Sequence, residues 1–167
     1  MYKQKNHSAG AKSAYQQKEG FTLIEVLVVI GIIAILATVV LVAVNPSRQF
    51  KLARDSQRTS NVNAILNAIH QNMAEHKGVF TCEGNPRLLP TDTTDIKSGA
   101  ADDPGNIAPC IVPDYVSSLP FDPSLPDAHY TDFSDYDTKY SFLVDANGRV
   151  TVTAGAELAA QPISVTR

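Results

Sequence analysis

The sequence lacks the short motifs that mark most catalytic sites. It contains no glycine-rich phosphate loop, no His-Glu-x-x-His zinc motif and no Gly-x-Ser-x-Gly nucleophile turn. The four histidines do not form a set, since His70 and His76 are six residues apart on a predicted helix, about 240° around its axis. We therefore predict a protein that is not an enzyme, with no catalytic residue, no cofactor and no metal site.

Cysteine is also scarce, with only Cys82 and Cys110 in the chain. Neither belongs to a Cys-x-x-Cys pair, so zinc and redox motifs have no support. A bridge between them would close a loop of about 29 residues and could stabilise the fold by roughly 3 to 4 kcal/mol on the loop-entropy model. We predict this disulfide, with two unpaired thiols as the alternative. Because disulfides persist outside the cytosol, the prediction favours an extracytoplasmic location.

Positive charge is sparse in the C-terminal half. Residues 79–167 hold five basic and thirteen acidic side chains, a net charge of −8. Such a surface repels phosphates, so we expect no direct nucleic acid binding. One acidic stretch could offer oxygen ligands to calcium, but its spacing lacks the regularity of an EF-hand loop, and solvated turn residues are the preferred interpretation. Its members are Asp127, Asp132, Asp135 and Asp137.

A long apolar run stands near the N-terminus. It covers 24 residues from Phe21 to Val44, and the residues outside the strongly apolar set are Thr22, Glu25, Gly31 and Thr38. As a helix it would reach about 36 Å, enough to cross a hydrocarbon core of roughly 30 Å. A carboxylate inside such a run is costly and usually functional. The run is therefore a predicted membrane segment, and Glu25 is its candidate functional residue.

The residues that open this run resemble a known family. Lys18-Glu19-Gly20 closes a polar leader, and Gly20-Phe21-Thr22-Leu23-Ile24-Glu25 follows. This order is similar to the N-terminus of type IV prepilins and of the pseudopilins of type II secretion. The resemblance implies that a membrane peptidase cuts after Gly20 and that Phe21 is then N-methylated. It also implies that Glu25 helps assembly by neutralising the N-terminal amine of a neighbouring subunit.

Two plainer interpretations compete with this one. A secretory signal peptide has an apolar region of about 7 to 15 residues, shorter than this run. An uncleaved signal anchor would merely place Glu25 near the positive end of a helix macrodipole. The prepilin resemblance implies instead a structural subunit of a pilus-like filament. A pseudopilin and a membrane-anchored binding module that never polymerises are the alternatives.

The resemblance also implies partners and a location. The partners are the prepilin peptidase and methyltransferase, copies of the chain and other pilins, the pilus or secretion assembly platform, and membrane lipid. The location is the inner membrane, as a single-pass protein with its C-terminal head outside the cytoplasm, and then the filament. Charge alone does not orient the segment, because four cations follow it closely. These are Arg48, Lys51, Arg54 and Arg58. They could hold anionic lipid headgroups, pair with acidic residues of adjacent subunits, or simply form a solvated helix face.

We divide the chain into a leader (1–20), a membrane and assembly helix (21–44), an amphipathic continuation of that helix (45–78) and a loop-rich β head (79–167). One long helix with a bend near Pro46 is expected from 21 to 77, with Gly78 as its stop. Apolar residues at helical spacing form one stripe, with asparagine and glutamine at the other positions. The stripe comprises Val62, Ile65, Leu66, Ile69 and Met73.

The head combines loops with a hairpin. Eight of the ten prolines lie between Pro86 and Pro126, so residues 79–138 are expected to be mostly loop. Alternating residues from Tyr140 predict a hairpin, and a three-residue loop at 146–148 would pair Val144 with Val150 and Phe142 with Val152. Ile163 to Val165 are expected to add an edge strand. The predicted class is α+β, a long N-terminal helix packed on a small antiparallel sheet, which the resemblance to pilins also implies.

A second resemblance lies at Leu119-Pro120-Phe121-Asp122-Pro123. It is similar to the Leu-Pro-x-Asp-Pro of major pseudopilins and related pilins. Those pseudopilins commonly continue with Trp-Gly and an acidic calcium loop, whereas Ser124-Leu125 follows here. The departure counts against a calcium site and against a strict secretion assignment.

Overall fold

The structure is a computed structural model that describes residues 20–167. Most of the predicted leader, residues 1–19, lies outside the described residues. The chain divides into two compact units, Met1–Val44 and Asn45–Arg167. In the described part of the first unit, helix α1 runs over Leu23–Val44, and none of its residues is buried. It is long and apolar enough to cross a membrane.

The bend expected near Pro46 is a break between two helices. Helix α2 runs over Pro46–Glu75, separated from α1 by Asn45, whose backbone is left-handed with φ 43° and ψ 82°. Asparagine tolerates this conformation, and a residue before proline is biased away from the helical region. The Asn45 side chain then accepts a hydrogen bond from the backbone N–H of Arg48, so this residue caps a new helix.

The second unit packs α2 against an antiparallel sheet. A small hairpin, β1 (Thr81–Cys82) and β2 (Asn85–Pro86), follows the helix, and α3 covers Ala108–Ile111. The main sheet contains β3 (Thr94–Lys97), β4 (His129–Asp132), β5 (Asp135–Val144), β6 (Val150–Ala154) and β7 (Ile163–Thr166). Its order is β3-β5-β6-β7, with β4 paired to the first residues of β5. The predicted α+β class is confirmed.

The hairpin formed by β5 and β6 has the predicted register. Phe142 pairs with Val152 and Val144 with Val150. The backbone N–H of Asp145 donates to the carbonyl oxygen of Arg149, which leaves residues 146–148 as the loop, and Gly148 is left-handed at φ 79°. The edge strand expected near Ile163 is also present as β7, paired with β6.

Residues 79–138 are mostly loop, as expected, but two strands of the main sheet within that range were not predicted. Strands β3 and β4 fall inside that range, and β5 begins at Asp135, so the acidic approach to the hairpin is itself strand. Both missed strands are short and mostly unburied, and they lack the strict apolar alternation that marks a half-buried strand. Their pairing with β5 makes them strands.

The core lies between α2 and one face of β5 and β6. The stripe residues Val62, Ile65, Leu66 and Ile69 are fully buried, and Met73 packs at the edge. The sheet contributes Ile96, Tyr136, Tyr140, Phe142, Val150 and Val152, and the segments between strands contribute Ile107, Ile111 and Leu119. The helical stripe is therefore the surface on which the head is built, as the 3.6-residue period predicts.

Candidate functional site

The motif at the start of α1 forms a reciprocal helix cap. The backbone N–H of Thr22 donates to Glu25 Oε2 at 2.8 Å, and the Thr22 hydroxyl donates to the same oxygen at 2.7 Å. In return the Glu25 N–H donates to Thr22 Oγ1 at 3.3 Å. This is the geometry of a Ser/Thr-x-x-Glu capping box, in which orphan N–H groups of a first helical turn are satisfied. The Thr-Leu-Ile-Glu spacing carries this signal, which the sequence analysis missed.

The bond between Gly20 and Phe21 stands just outside this cap. Both residues precede α1, and Phe21 is 89 % exposed. A Cβ added at Gly20 would meet no atom within 4 Å, so the backbone there is open on its side-chain side. Lys18 and Glu19 lie outside the described residues. Among the described residues, both residues that flank the predicted cleavage point are therefore exposed and directly precede the turn that carries Glu25.

Residues 16–41 match the family model of the prokaryotic N-terminal methylation motif. The chain carries the hallmark of the type IV prepilin and pseudopilin family. No curated protein and no solved structure matches the chain. Together with the apolar α1, the prepilin motif indicates a membrane-anchored, pilin-like protein.

In the second unit of this prepilin-like chain, a network of polar side chains surrounds Arg58 on α2 and reaches into the head. Its guanidinium donates two hydrogen bonds to Asp122, from Nε to Oδ2 at 2.7 Å and from Nη2 to Oδ1 at 3.0 Å. Nη1 donates to Asp55 at 2.8 Å and to Glu157 at 2.9 Å, and Nη2 also donates to the Ser124 hydroxyl. We call these five residues, with Arg54, the arginine cluster. The side chains of Arg58 and Asp122 are only 3 % and 0 % exposed.

The cluster joins three separate segments of the unit. Arg54 donates twice to Glu157, at 2.6 Å each, and Asp55 accepts from the backbone N–H groups of Glu157 and Leu158. Asp122 likewise accepts from the N–H groups of Ser124 and Leu125 at 2.9 Å. Charged side chains on α2 therefore hold both the 122–125 turn and the 157–158 segment against the helix.

These contacts lower the pKa values of the three carboxylates in the cluster. Hydrogen bonding from Arg54, joined by Arg58, lowers the pKa of Glu157 to about 2. Burial by itself would raise the pKa of Asp122, but hydrogen bonds from Arg58 and two backbone N–H groups outweigh it and hold the pKa below its usual value. The pKa of Asp55 is lowered for the same balance of reasons. All three carboxylates are thus ionised in the folded chain at neutral pH.

The cluster changes the interpretation of Arg54 and Arg58 and gives Asp122 a structural role. Arg54 and Arg58 were considered as ligands for lipid headgroups or for adjacent subunits, but both are engaged within their own unit. The Asp122 of the Leu-Pro-x-Asp-Pro resemblance is the buried partner of Arg58. Within the described residues, no group of three or more His, Cys, Asp or Glu side chains is arranged to hold a metal ion.

The acidic stretch considered for calcium is divided among local contacts. Asp132 accepts from Ser134, Asp135 contacts His129 at 3.0 Å, and Asp137 pairs with Lys139 at 2.6 Å. The structure therefore does not bring the four aspartates to one point. Each contact lies at the start of β5 or in the turn before it.

Two asparagines assigned to the polar face of α2 are in fact buried. Asn61 donates to the Tyr140 hydroxyl at 2.9 Å and to the carbonyl oxygen of Phe121. Asn72 donates to the carbonyl oxygens of Thr81 and Cys110 and accepts from the Thr81 N–H at 2.8 Å. Periodicity could not find these residues, because it assigns polar side chains to solvent by default.

The disulfide lies beside the second asparagine. Cys82 and Cys110 are bonded, as their isolation in the sequence suggested, and they join β1 to α3. Arg87 packs on both sulfurs and donates to the carbonyl oxygens of Asp103 and Asn106. The bridge, Asn72 and Arg87 together fasten the segment 99–111 to the C-terminal end of α2.

We predict that Asp122→Asn destabilises the head strongly. The variant keeps the side-chain volume but leaves a buried Arg58 without its closest counter-charge, which should cost about 2 to 3 kcal/mol. The measurement is chemical unfolding of the detergent-solubilised chain, followed by circular dichroism. Asp92→Asn is the matched control, since Asp92 is exposed and its carboxylate makes no hydrogen bond or ion pair among the described residues. Equal stabilities for the two variants would contradict the assigned role.

We also predict a loss of stability at acid pH. A carboxylate whose pKa is lower in the folded than in the unfolded chain stabilises the fold above its unfolded pKa, and this contribution disappears as pH falls through the folded value. For Glu157 that window runs from about 4.5 down to about 2. Unfolding midpoints measured across this window should fall steadily, and less steeply in the Glu157→Gln variant. The same slope in both chains would show that the cluster is not the cause.

Proposed function

We propose that this chain is a structural subunit of a type IV pilus-like filament, made as a membrane-anchored prepilin. In this proposal the leader is cleaved after Gly20, Phe21 is N-methylated, and the mature chain polymerises through its N-terminal helix. The match of residues 16–41 to the methylation motif carries the proposal. The chain is not an enzyme in this account, and its partners and final location are those of filament subunits.

The exposed apolar surface of α1 supports polymerisation. All its residues are exposed, and each of its leucine, isoleucine and valine side chains is exposed by 48 % or more among the described residues. A helix apolar on every side requires lipid or other apolar helices around it. Lipid serves before assembly, and copies of α1 would serve within a filament.

The position of Glu25 supports its role in assembly. Both hydrogen bonds from Thr22 reach Oε2, and Oε1 accepts none from the described residues. One oxygen thus completes the helix cap while the other remains available to a cation. A buried carboxylate without a counter-charge is penalised by several kcal/mol, so a filament that buries α1 must supply one. We propose the N-terminal amine of a neighbouring subunit.

The orientation and partners are part of the same proposal. We infer that the leader faces the cytoplasm, where the prepilin peptidase and methyltransferase act, and that the head lies outside. A disulfide in the head agrees with that side. An assembly platform then draws subunits from the inner membrane into the filament, together with other pilins.

A pseudopilin of type II secretion is the second candidate. The Leu119 to Pro123 stretch is similar to one in major pseudopilins and related pilins, and its Asp122 pairs with the buried Arg58. A membrane-anchored binding module that never polymerises is the remaining alternative. Filament formation on co-expression with an assembly machinery separates that module from the first two.

The first test is the intact mass and N-terminal sequence of the membrane-extracted chain. We expect the chain to begin at Phe21 and to carry one added methyl group. The source must be a host that has the peptidase, with Gly20→Leu as the uncleaved control. A native chain that still begins at Met1 in that host would overturn prepilin processing and favour the anchored module.

The second test separates assembly from helix capping at Glu25. We expect Glu25→Ala to insert and to be cleaved normally but to form few or no filaments, because no carboxylate remains to meet the incoming amine. Thr22→Ala is the matched control: it removes the hydroxyl from the cap but keeps the carboxylate, and it should assemble. Filament yield by electron microscopy is the measurement. Normal yield from Glu25→Ala, or equal loss in both variants, would refute the role.

A further inference from the structure

The first turns of α2 carry cations that the head does not use. Arg48 and Lys51 precede the arginine cluster, and neither side chain makes a hydrogen bond or ion pair among the described residues. Phe50 and Leu52 beside them are 64 % and 42 % exposed. This short stretch, residues 48–52, therefore combines positive charge with apolar surface.

The nearby acids are already occupied. Asp55 is one helical turn from Lys51, but it accepts from Arg58 and from two backbone N–H groups. Glu157 and Asp122 are engaged by Arg54 and Arg58. The acids nearest to Arg48 and Lys51 in this unit are therefore already paired, and we look for a counter-charge outside the unit.

Chain connectivity limits where that counter-charge can be. Arg48 and Lys51 are four and seven residues beyond Val44, the last residue of the apolar helix. Along α2 the rise from Pro46 to Lys51 is only about 7.5 Å. The headgroup layer on each side of a bilayer is roughly 5 to 8 Å thick. Both cations therefore stay within reach of headgroups whenever the apolar helix occupies the hydrocarbon core.

The arrangement around the helix fits lipid on several sides. At 100° per residue, Arg48, Lys51 and Leu52 share one half of the helix surface, and Phe50 lies on the other. A helix lying flat on a membrane would gather its apolar residues on one face. Here the two apolar side chains, Phe50 and Leu52, lie about 160° apart around the axis, as suits a helix that passes through the headgroup layer.

We propose that residues 48–52 bind anionic phospholipid headgroups, with Arg48 and Lys51 holding the phosphates and Phe50 and Leu52 contacting the upper acyl region. An acidic surface of an adjacent subunit could also attract the two cations. An acidic surface would not explain why Phe50 and Leu52 are exposed. It is also not held near residues 48–52, whereas the chain connection to α1 keeps this stretch at the bilayer. The inference rests on the membrane-anchored state within the proposed function, and it does not require filament assembly.

The chain offers a clean reporter, because it contains no tryptophan. Phe50→Trp places one fluorophore in the stretch at an exposed position. The full-length Phe50→Trp chain is reconstituted in vesicles of phosphatidylcholine, with or without phosphatidylglycerol. Tryptophan fluorescence is then quenched with brominated lipid, which acts in the bilayer, and with acrylamide, which acts in water. The ratio of the two quenching efficiencies measures how deeply the residue lies in the membrane.

Anionic lipid should shift the reporter toward the lipid-exposed position. Each lysine or arginine near such a surface favours the membrane-bound state of the stretch by a factor of about five. For the pair at low salt we therefore expect the ratio of lipid-exposed to water-exposed reporter to rise roughly 30-fold. High salt should reverse the shift. Arg48→Gln/Lys51→Gln in the reporter chain should abolish it, whereas Lys77→Gln/Lys97→Gln, with the same change of charge in the head, should not.

Two outcomes would overturn the proposal. The first is a reporter position that is the same in both vesicles, or that both double variants alter equally. The second is an unchanged lipid response of Arg48→Gln/Lys51→Gln accompanied by lower filament yield, which would assign the cations to an adjacent subunit. Since the vesicles contain no assembly machinery, a failure of the filament proposal would leave this measurement unaffected.

Discussion

The head depends on one buried charge, the guanidinium of Arg58. A cation with 3 % of its side chain exposed must be paired, because desolvation of an unpaired ion costs several kcal/mol. Its planar set of donors is filled by Asp122, Asp55, Glu157 and Ser124. Through these contacts the charge on α2 holds the 122–125 turn and the 157–158 segment against the helix.

An irregularity in β5 positions Asp122 beside Arg58. Lys139 interrupts β5 with a left-handed backbone at φ 59°, and the β3 pairing shifts register nearby. The carbonyl oxygen of Thr138 is thereby free to accept from the N–H of Asp122. An irregularity in the strand thus provides the docking point for the turn that carries the carboxylate, which is a common use of a bulge. Asn61 completes the link from α2 to Tyr140 and Phe121.

Local and periodic signals account for what the sequence predicted well. The stripe from Val62 to Ile69, the hairpin register about Gly148 and the edge strand at Ile163 each follow from spacing within a few residues. Arg58 and Asp122 are 64 residues apart, and no period relates them. Asn72 lies outside the predicted apolar stripe, yet its buried amide makes hydrogen bonds with three backbone groups near the disulfide. Buried polar residues are specified by partners that a local pattern does not contain.

The two units therefore satisfy their polar groups in opposite ways. The head neutralises its buried charges internally, through Arg58 and the residues around it, and it needs no second chain to do so. In α1 every side chain is exposed, and one oxygen of Glu25 accepts no hydrogen bond within the described residues. The demand for outside contacts falls on α1 and on the stretch 48–52 that follows it. A head that is complete by itself can vary its outer loops without altering the surfaces on which anchoring and the proposed assembly depend.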